Sequence, residues 1–342
     1  MSRPDQLPDP SGDVRSSELR QWASECLGVS DLILERASED ASFRRYFRLR
    51  APDATWIVMD APPEREDCAP FIHVAGLMHA AGLHVPEVLA QDLARGYLLL
   101  SDLGTTTYLK ALDEHNADAL FSDAIDALIK WQLASRPGVL PPYDEHLLRR
   151  ELELLPEWYM TRHLGVPPDG PQRQLLDTVF AKLVASALAQ PQVYVHRDYM
   201  PRNLMLSTPN PGVLDFQDAV FGPITYDVAS LFRDAFISWP EARALDWIVR
   251  YWERARGAGL PVGADFGAFY RDLEWMGLQR HIKVLGIFAR IHYRDGKPGY
   301  LDDTPRFLAY ARAVAERYAE LRPLVPLLDV FEDRSRRAAY SF

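Results

Sequence analysis

The hydrophobic spacing of this chain changes character near Ser101, and no fold built from one repeating element accommodates that change. Up to Leu100 the apolar residues fall in short runs, Leu32–Arg36, Arg45–Arg50, Thr55–Met59, Val88–Ala90 and Tyr97–Leu100, separated by polar turns. Runs of this kind are the pattern of short antiparallel strands. Two helices interrupt them. One carries Leu19, Trp22, Ala23, Cys26 and Leu27 at helical spacing with Gly28 as its stop, and the other has Phe71, Ala75 and Met78 on one face and ends near Gly82. Beyond Ser101, Leu120, Ile125, Leu128 and Trp131, then Leu176, Val179, Phe180, Leu183 and Leu188, recur at the helical period. The spacing predicts an α+β chain in two lobes. A small antiparallel β-sheet N-lobe occupies residues 18–100, a hinge 101–104, and a larger, mainly helical C-lobe 105–342, with residues 1–17 as a flexible arm. A length of 342 residues suits two lobes better than one core.

Charge and composition exclude several functions. The 38 Lys and Arg against 48 Asp and Glu leave a net charge of -10, so there is no global positive field to hold a nucleic acid. Cys26 and Cys68 form neither a disulfide framework nor a metal-ligand spacing, which fits a reducing cytoplasm. The polar start of the chain lacks a signal core, and no window reaches the roughly 18 apolar residues of a membrane span. A soluble, cytoplasmic protein is expected, with no membrane or nucleic-acid partner; the sequence does not reveal its partner proteins.

The familiar short motifs fail. Gly257, Gly259 and Gly263 are spaced one residue too long for a dinucleotide fingerprint and follow no strand, and there is no phosphate-binding P-loop, zinc helix or nucleophile elbow. One segment does carry chemistry. Val193–Val195, Leu204–Leu206 and Val213 with Leu214 are three short apolar runs; between the first two lies His196-Arg197-Asp198-Tyr199-Met200-Pro201-Arg202-Asn203, and Asp215-Phe216-Gln217 follows the third. The spacing H-R-D-x-x-x-x-N places Asp198 on a strand-end loop, where it can orient a substrate hydroxyl. Asn203 and Asp215 are hard oxygen donors of the kind that hold magnesium against nucleotide phosphates. Taken singly, His196 and Asp198 would read as a buried turn network and Asp215 as a solvated strand end; three at these spacings point to function.

On these residues the chain resembles the aminoglycoside phosphotransferase and choline kinase group, small-molecule relatives of the protein kinases, over about Leu34 to Leu301. The resemblance implies a two-lobed protein-kinase-like fold with the active site in the cleft, ATP and Mg2+ as cofactors, and a small-molecule sugar or other alcohol as acceptor. It implies Asp198 as catalytic base, Asn203 and Asp215 as metal ligands, and His196 and Asp227 as structural support. Ser101 and Leu103, in the segment Leu98-Leu99-Leu100-Ser101-Asp102-Leu103-Gly104, match the hinge that receives adenine. Three further stretches, Asp40–Arg48, Val58–Pro63 and Arg290–Lys297, are similar to the bacterial cell-wall amino-sugar kinases, which phosphorylate the anomeric hydroxyl of N-acetylmuramate and N-acetylglucosamine in peptidoglycan recycling.

The chain departs from the kinase pattern on the third strand. That stretch reads Trp56-Ile57-Val58-Met59-Asp60, without the phosphate-binding lysine. Ser42 and Arg44 or Arg45 are the expected replacements for gripping phosphate, Arg45 sharing a strand face with Phe47 and Arg44 with Tyr46. Two solvated edge arginines are the alternative. For the acceptor, Arg290 and Arg294 share a helix face and can read a carboxylate by a bidentate fork, unless they are simply a solvated basic face. Glu151 is expected to accept sugar hydroxyl protons, and Trp158 either covers the ring or belongs to the core. A kinase of aminoglycoside or choline, or a pseudokinase that binds nucleotide without turnover, are the rival readings.

Overall fold

The computed structural model describes residues 14–38 and 43–339. The chain divides into two compact units: residues up to Thr106 together with Met205–Gln217, and Thr107–Leu204 together with Asp218–Phe342.

The first unit is built on one antiparallel sheet. Its strands are β1 (Ile33–Ser38), β2 (Arg45–Arg50), β3 (Thr55–Asp60), β4 (Val88–Asp92) and β5 (Tyr97–Ser101), in the spatial order β1-β2-β3-β5-β4. The register opposes Phe47 to Val58 and Val58 to Leu99, so strand alternation gathers Phe47, Leu49, Val58, Tyr97 and Leu99 on one face. Helix α1 (Val14–Leu27) covers that face, burying Leu19, Trp22 and Ala23 against it, with the Trp22 and Tyr97 ring centroids 5.6 Å apart. The helix therefore takes in Val14 to Ser17, within the stretch expected to be a flexible arm. Helix α2 (Ala69–Ala80) buries Phe71, Val74, Ala75 and Met78.

The stretch Met205–Gln217, assigned to the C-lobe by its position in the sequence, belongs to this unit. Val213 donates its N–H to the carbonyl of His84 at 2.8 Å, Leu206 donates to Thr106 at 2.8 Å, and the Phe216 ring packs on Phe71 at 4.8 Å. Backbone pairing and ring contact decide its allegiance where chain order does not.

The second unit is organised around one long helix. Helices α3 (Ala117–Leu133), α4 (Glu145–Leu152), α5 (Gly170–Ala189), α6 (Tyr226–Phe232) and α7 (Glu241–Gly257) precede it; α8 (Phe266–Asp295) spans 30 residues, and α9 (Thr304–Arg317) and α10 (Val325–Ala339) follow. Helix α8 is buried on all sides from Leu273 to Gly286, which is why its sequence mixes apolar residues with Glu274, Arg280, His281 and Lys283. It ends where Gly296 adopts φ 68, a left-handed C-terminal cap. A nine-residue π-helix, Leu155–His163, runs on from α4 and packs along α8. The approach is close: a Cβ at Gly286 would stand 2.4 Å from the Leu154 carbonyl carbon. Strands β6 (Gln192–Val195) and β7 (Val220–Pro223) pair antiparallel beside these helices and launch the loop that holds Asp198.

Candidate active site

In the second unit, β6 ends at Val195 and the loop from His196 to Asn203 turns away under several constraints. Asp227, on the first turn of α6 and fully buried, accepts the backbone N–H of His196 at 2.7 Å with one carboxylate oxygen and that of Arg197 at 3.0 Å with the other. Asp198 donates its N–H to Nδ1 of the buried His196 ring at 3.2 Å, and Asn203 Nδ2 donates to the Asp198 carbonyl at 2.9 Å. The Tyr199 hydroxyl donates to the Ala124 carbonyl at 2.8 Å. Arg197 lies at φ 76, a left-handed conformation that costs a non-glycine residue on the order of 1 kcal/mol or more and persists only where neighbours over-determine it. These bonds do so, and they leave Asp198 half-buried at the turn.

The electrostatics of Asp227 follow from burial. Desolvation pushes its pKa up to about 7, against the two N–H donors that favour its charged form, and neighbouring Asp198 adds to the rise.

Beneath the loop lies a buried ion cluster. Arg197 Nη2 meets Glu151 Oε1 at 2.5 Å, and Lys283 Nζ meets the same oxygen at 3.0 Å. The other oxygen accepts from the Tyr143 hydroxyl and, at 3.3 Å, from Gln279 Nε2. Lys283 also donates to the Tyr226 hydroxyl at 3.0 Å. Burial alone would raise the Glu151 pKa; Lys283 and Arg197 overcome it and hold the carboxyl down to about 2. Burial likewise opposes the charge on Arg197 and on Lys283, and Glu151 restores it in both. Glu151 was expected to face a sugar, yet its two oxygens accept from four protein donors and it is 5% exposed.

Within the first unit, Asp215 also adopts a left-handed backbone, φ 63, and its Oδ1 accepts from Gln217 Nε2 at 2.8 Å. Ser101 closes β5 by donating its N–H to the Glu87 carbonyl at 3.0 Å, while its hydroxyl oxygen accepts the Glu87 N–H at 2.9 Å. Leu103 is buried, and the adjoining Asp102 forms a bidentate pair with Arg48 at 2.6 and 3.0 Å. Ser42 lies outside the described residues.

Arg45 is committed elsewhere. Its guanidinium reaches the fully buried Asp60 carboxylate at 2.5 Å, and Arg15 of α1 reaches the other oxygen at 2.7 Å. Arg44 pairs with Glu66 at 3.0 Å. The third strand thus ends in a buried carboxylate between two arginines, and both arginines weighed as phosphate grips already have carboxylate partners.

The basic stretch on α8 divides in two. Arg294 is exposed and forks onto the adjacent Asp295 at 2.6 and 2.9 Å. Arg290 is half-buried, its Nε has no hydrogen-bond partner among the described residues, and desolvation together with Arg294 pulls its pKa down. Arg290 stands seven residues beyond Lys283, about two turns along the same helix face. Trp158, on the π-helix, is partly exposed with Arg162 over its ring at 5.3 Å, whereas neighbouring Tyr159 is core.

Sequence reading missed Lys283, Gln279, Tyr143 and Tyr226. They sit on elements far from the loop in sequence, and the only signal was a lysine inside an otherwise buried helix.

Comparison with known proteins accords with this geometry. The profile of the phosphotransferase enzyme family matches residues 33–265, more than half of the chain. The N-acetylmuramate/N-acetylglucosamine kinase of Pseudomonas putida is 54% identical over 331 residues, covering 93% of this chain and 97% of that protein. A protein of the same name from Neisseria meningitidis is 48% identical over 334 residues, covering 96% and 99%. Among solved structures, the choline kinase LicA from Streptococcus pneumoniae superposes with a TM-score of 0.64 over 88% of this chain and all of that one, at 12% identity, a likeness of fold. The small antiparallel sheet, the helical second unit and the matched profile agree, and the chain belongs to the phosphotransferase enzyme family.

Proposed function

We propose that this chain is a cytoplasmic kinase that uses ATP to phosphorylate the anomeric hydroxyl of N-acetylmuramate and N-acetylglucosamine, serving peptidoglycan recycling. The observation that carries the reading is the pinned loop at Asp198 in a chain 54% identical, over nearly all its length, to an enzyme named for those two sugars. Asp198 orients the sugar hydroxyl and receives its proton as the oxygen attacks the γ-phosphorus, a reaction in which positioning and charge stabilisation do most of the work. Its half-buried position leaves it open to a small acceptor while the backbone behind it is fixed.

Magnesium fits the residues present. Magnesium takes hard oxygen ligands and is commonly held by one or two protein oxygens together with phosphate. Asn203 and Asp215 would supply those oxygens, and the ion would neutralise developing charge on the phosphates. Ser101 and Leu103 would face the nucleotide base. With Arg45 occupied by Asp60, phosphate contact falls to groups other than that guanidinium.

For the acceptor, the half-buried Arg290, whose Nε has no hydrogen-bond partner among the described residues, suits the lactyl carboxylate of N-acetylmuramate better than Arg294, which is already forked onto Asp295. The test is a magnesium-ATP assay against N-acetylmuramate, N-acetylglucosamine, glucose, choline and kanamycin, with phosphorus NMR locating the new phosphate. A sugar 1-phosphate from the amino sugars is expected. ATP binding without turnover on any acceptor would overturn the reading in favour of a pseudokinase.

A further inference from the structure

The cluster beneath the loop is unusual in its composition. One carboxylate, two cations, two phenols and an amide converge from α4, α6, α8, the loop itself and the segment before α4, and all but the partly buried Arg197 are nearly inaccessible. Burying charges in this way is seldom the most stable solution, since well-packed apolar side chains of similar volume serve a core as well or better. Its geometry has a more specific consequence. The Arg197 guanidinium is held by Glu151 Oε1, by the Asp218 carbonyl at 3.4 Å, and against the Tyr143 ring at 5.8 Å. Its backbone N–H is held by Asp227. Arg197 is thus gripped at both ends in its left-handed conformation, and the next residue in the chain is Asp198.

We propose that Glu151, with Lys283, Tyr143 and Gln279 behind it, is a positioning residue that fixes Arg197 and through it the carboxylate of Asp198, rather than a residue that touches sugar. Lys283 holds Glu151 at its place on α4, and its second bond to Tyr226 ties the cluster to the residue preceding Asp227. The two supports of the loop, a buried carboxylate on its backbone and a buried carboxylate on its side chain, are therefore joined through Lys283 and Tyr226. The inference rests on the reading of Asp198 as the group that receives the hydroxyl proton.

The experiment uses the full chain and two variants, Tyr143→Phe and the double variant Glu151→Gln with Lys283→Met. The double variant removes one anion and one cation, so the net charge of the cluster is unchanged and no lone carboxylate is buried. Because Arg197 loses the carboxylate of Glu151, the double variant is expected to unfold at a lower denaturant concentration than the wild type; assayed where it is fully folded, it is expected to lose about a hundredfold in kcat, the scale of a 1 Å misplacement, with KM for the sugar within about threefold. Tyr143→Phe, which deletes only one hydroxyl, is expected to lower kcat several-fold at constant KM. Amide exchange over residues 196–203 is expected to quicken in the double variant. Wild-type kcat in the double variant, or losses confined to KM, would overturn the proposal. If the wild type itself phosphorylated no amino sugar, the reading of function would fall, and unchanged amide exchange in the double variant would then sink the clamp independently.

Discussion

Asp227 holds His196 by a single contact with a large consequence: one carboxylate oxygen, fully buried, accepts the His196 backbone N–H at 2.7 Å, and the second oxygen is left to take the N–H of Arg197. A carboxylate can do this because both of its oxygens accept. An asparagine amide has one acceptor and would turn an NH2 toward the second N–H. Asp227→Asn is expected to cost about 1–3 kcal/mol of stability and to lower kcat, read from denaturant midpoints and steady-state rates. The same burial sets a pH dependence. The folded pKa near 7 lies above the ordinary 3.8, so the stability contributed by this group is complete below 3.8 and is lost as pH rises through 7. The stability difference between wild type and Asp227→Asn should shrink over that window.

Asp198→Asn keeps the size of the side chain and removes its ability to take a proton. Turnover should fall by at least about a hundredfold, while the affinity for ATP measured by titration calorimetry stays within about twofold. A variant that turned over near the wild-type rate would remove Asp198 from its role.

Arg290 and Arg294 share a helix face but not an environment, and their alanine variants should differ. Arg290→Ala is expected to raise KM for N-acetylmuramate about tenfold more than for N-acetylglucosamine, since only the former carries a carboxylate. Arg294→Ala, which breaks an exposed pair with Asp295, should change both KM values little. Equal effects of Arg290→Ala on the two sugars would exclude carboxylate recognition there.

His281 supplies a pH effect of the opposite sign. Burial, with Arg280 and Arg233 adding repulsion against the hydrogen bond to the Arg233 carbonyl, holds its pKa down to about 3; its ring stacks on Tyr310 at 4.9 Å and touches Phe307. A histidine depressed from 6.5 contributes stability above 6.5 and loses it as pH falls toward 3. His281→Phe should therefore flatten the acid side of the stability curve, measured by urea unfolding at intervals between pH 7 and pH 4.

Gly286→Ala tests the seam between α8 and the backbone leading into the π-helix. The new Cβ would meet Leu154 carbon and oxygen atoms at 2.4 and 2.5 Å, so one backbone has to move. A loss of about 1–3 kcal/mol is expected by chemical denaturation.

The strands, the main helices and the loop that carries Asp198 were legible along the chain because each is written locally. Strand alternation and helical spacing report which side of an element is apolar, and H-R-D-x-x-x-x-N is contiguous. Arg45 shows where that kind of reading stops. Its face could be assigned from alternation, but not the fact that it would share the Asp60 carboxylate at the end of β3 with Arg15 of α1. Glu151 is expected from the sequence to face a sugar, and its buried surroundings were not legible, because Lys283 lies on a helix more than a hundred residues later. The grouping of Met205–Gln217 with the sheet was equally invisible, since it depends on pairing with His84 and Thr106.

By itself the sequence determined an antiparallel sheet followed by a helical body, and a loop with the residue types of phosphoryl transfer. Only the tertiary structure decided how the charges are spent: Asp60 on Arg15 and Arg45, Glu151 on Arg197 and Lys283, and Asp227 on two backbone amides, while Arg290 is half-buried on α8. The physical reason is that hydrophobic period is a property of one element, readable from its own residues. A buried charge takes its meaning from partners on other elements, and burial is what makes that pairing compulsory.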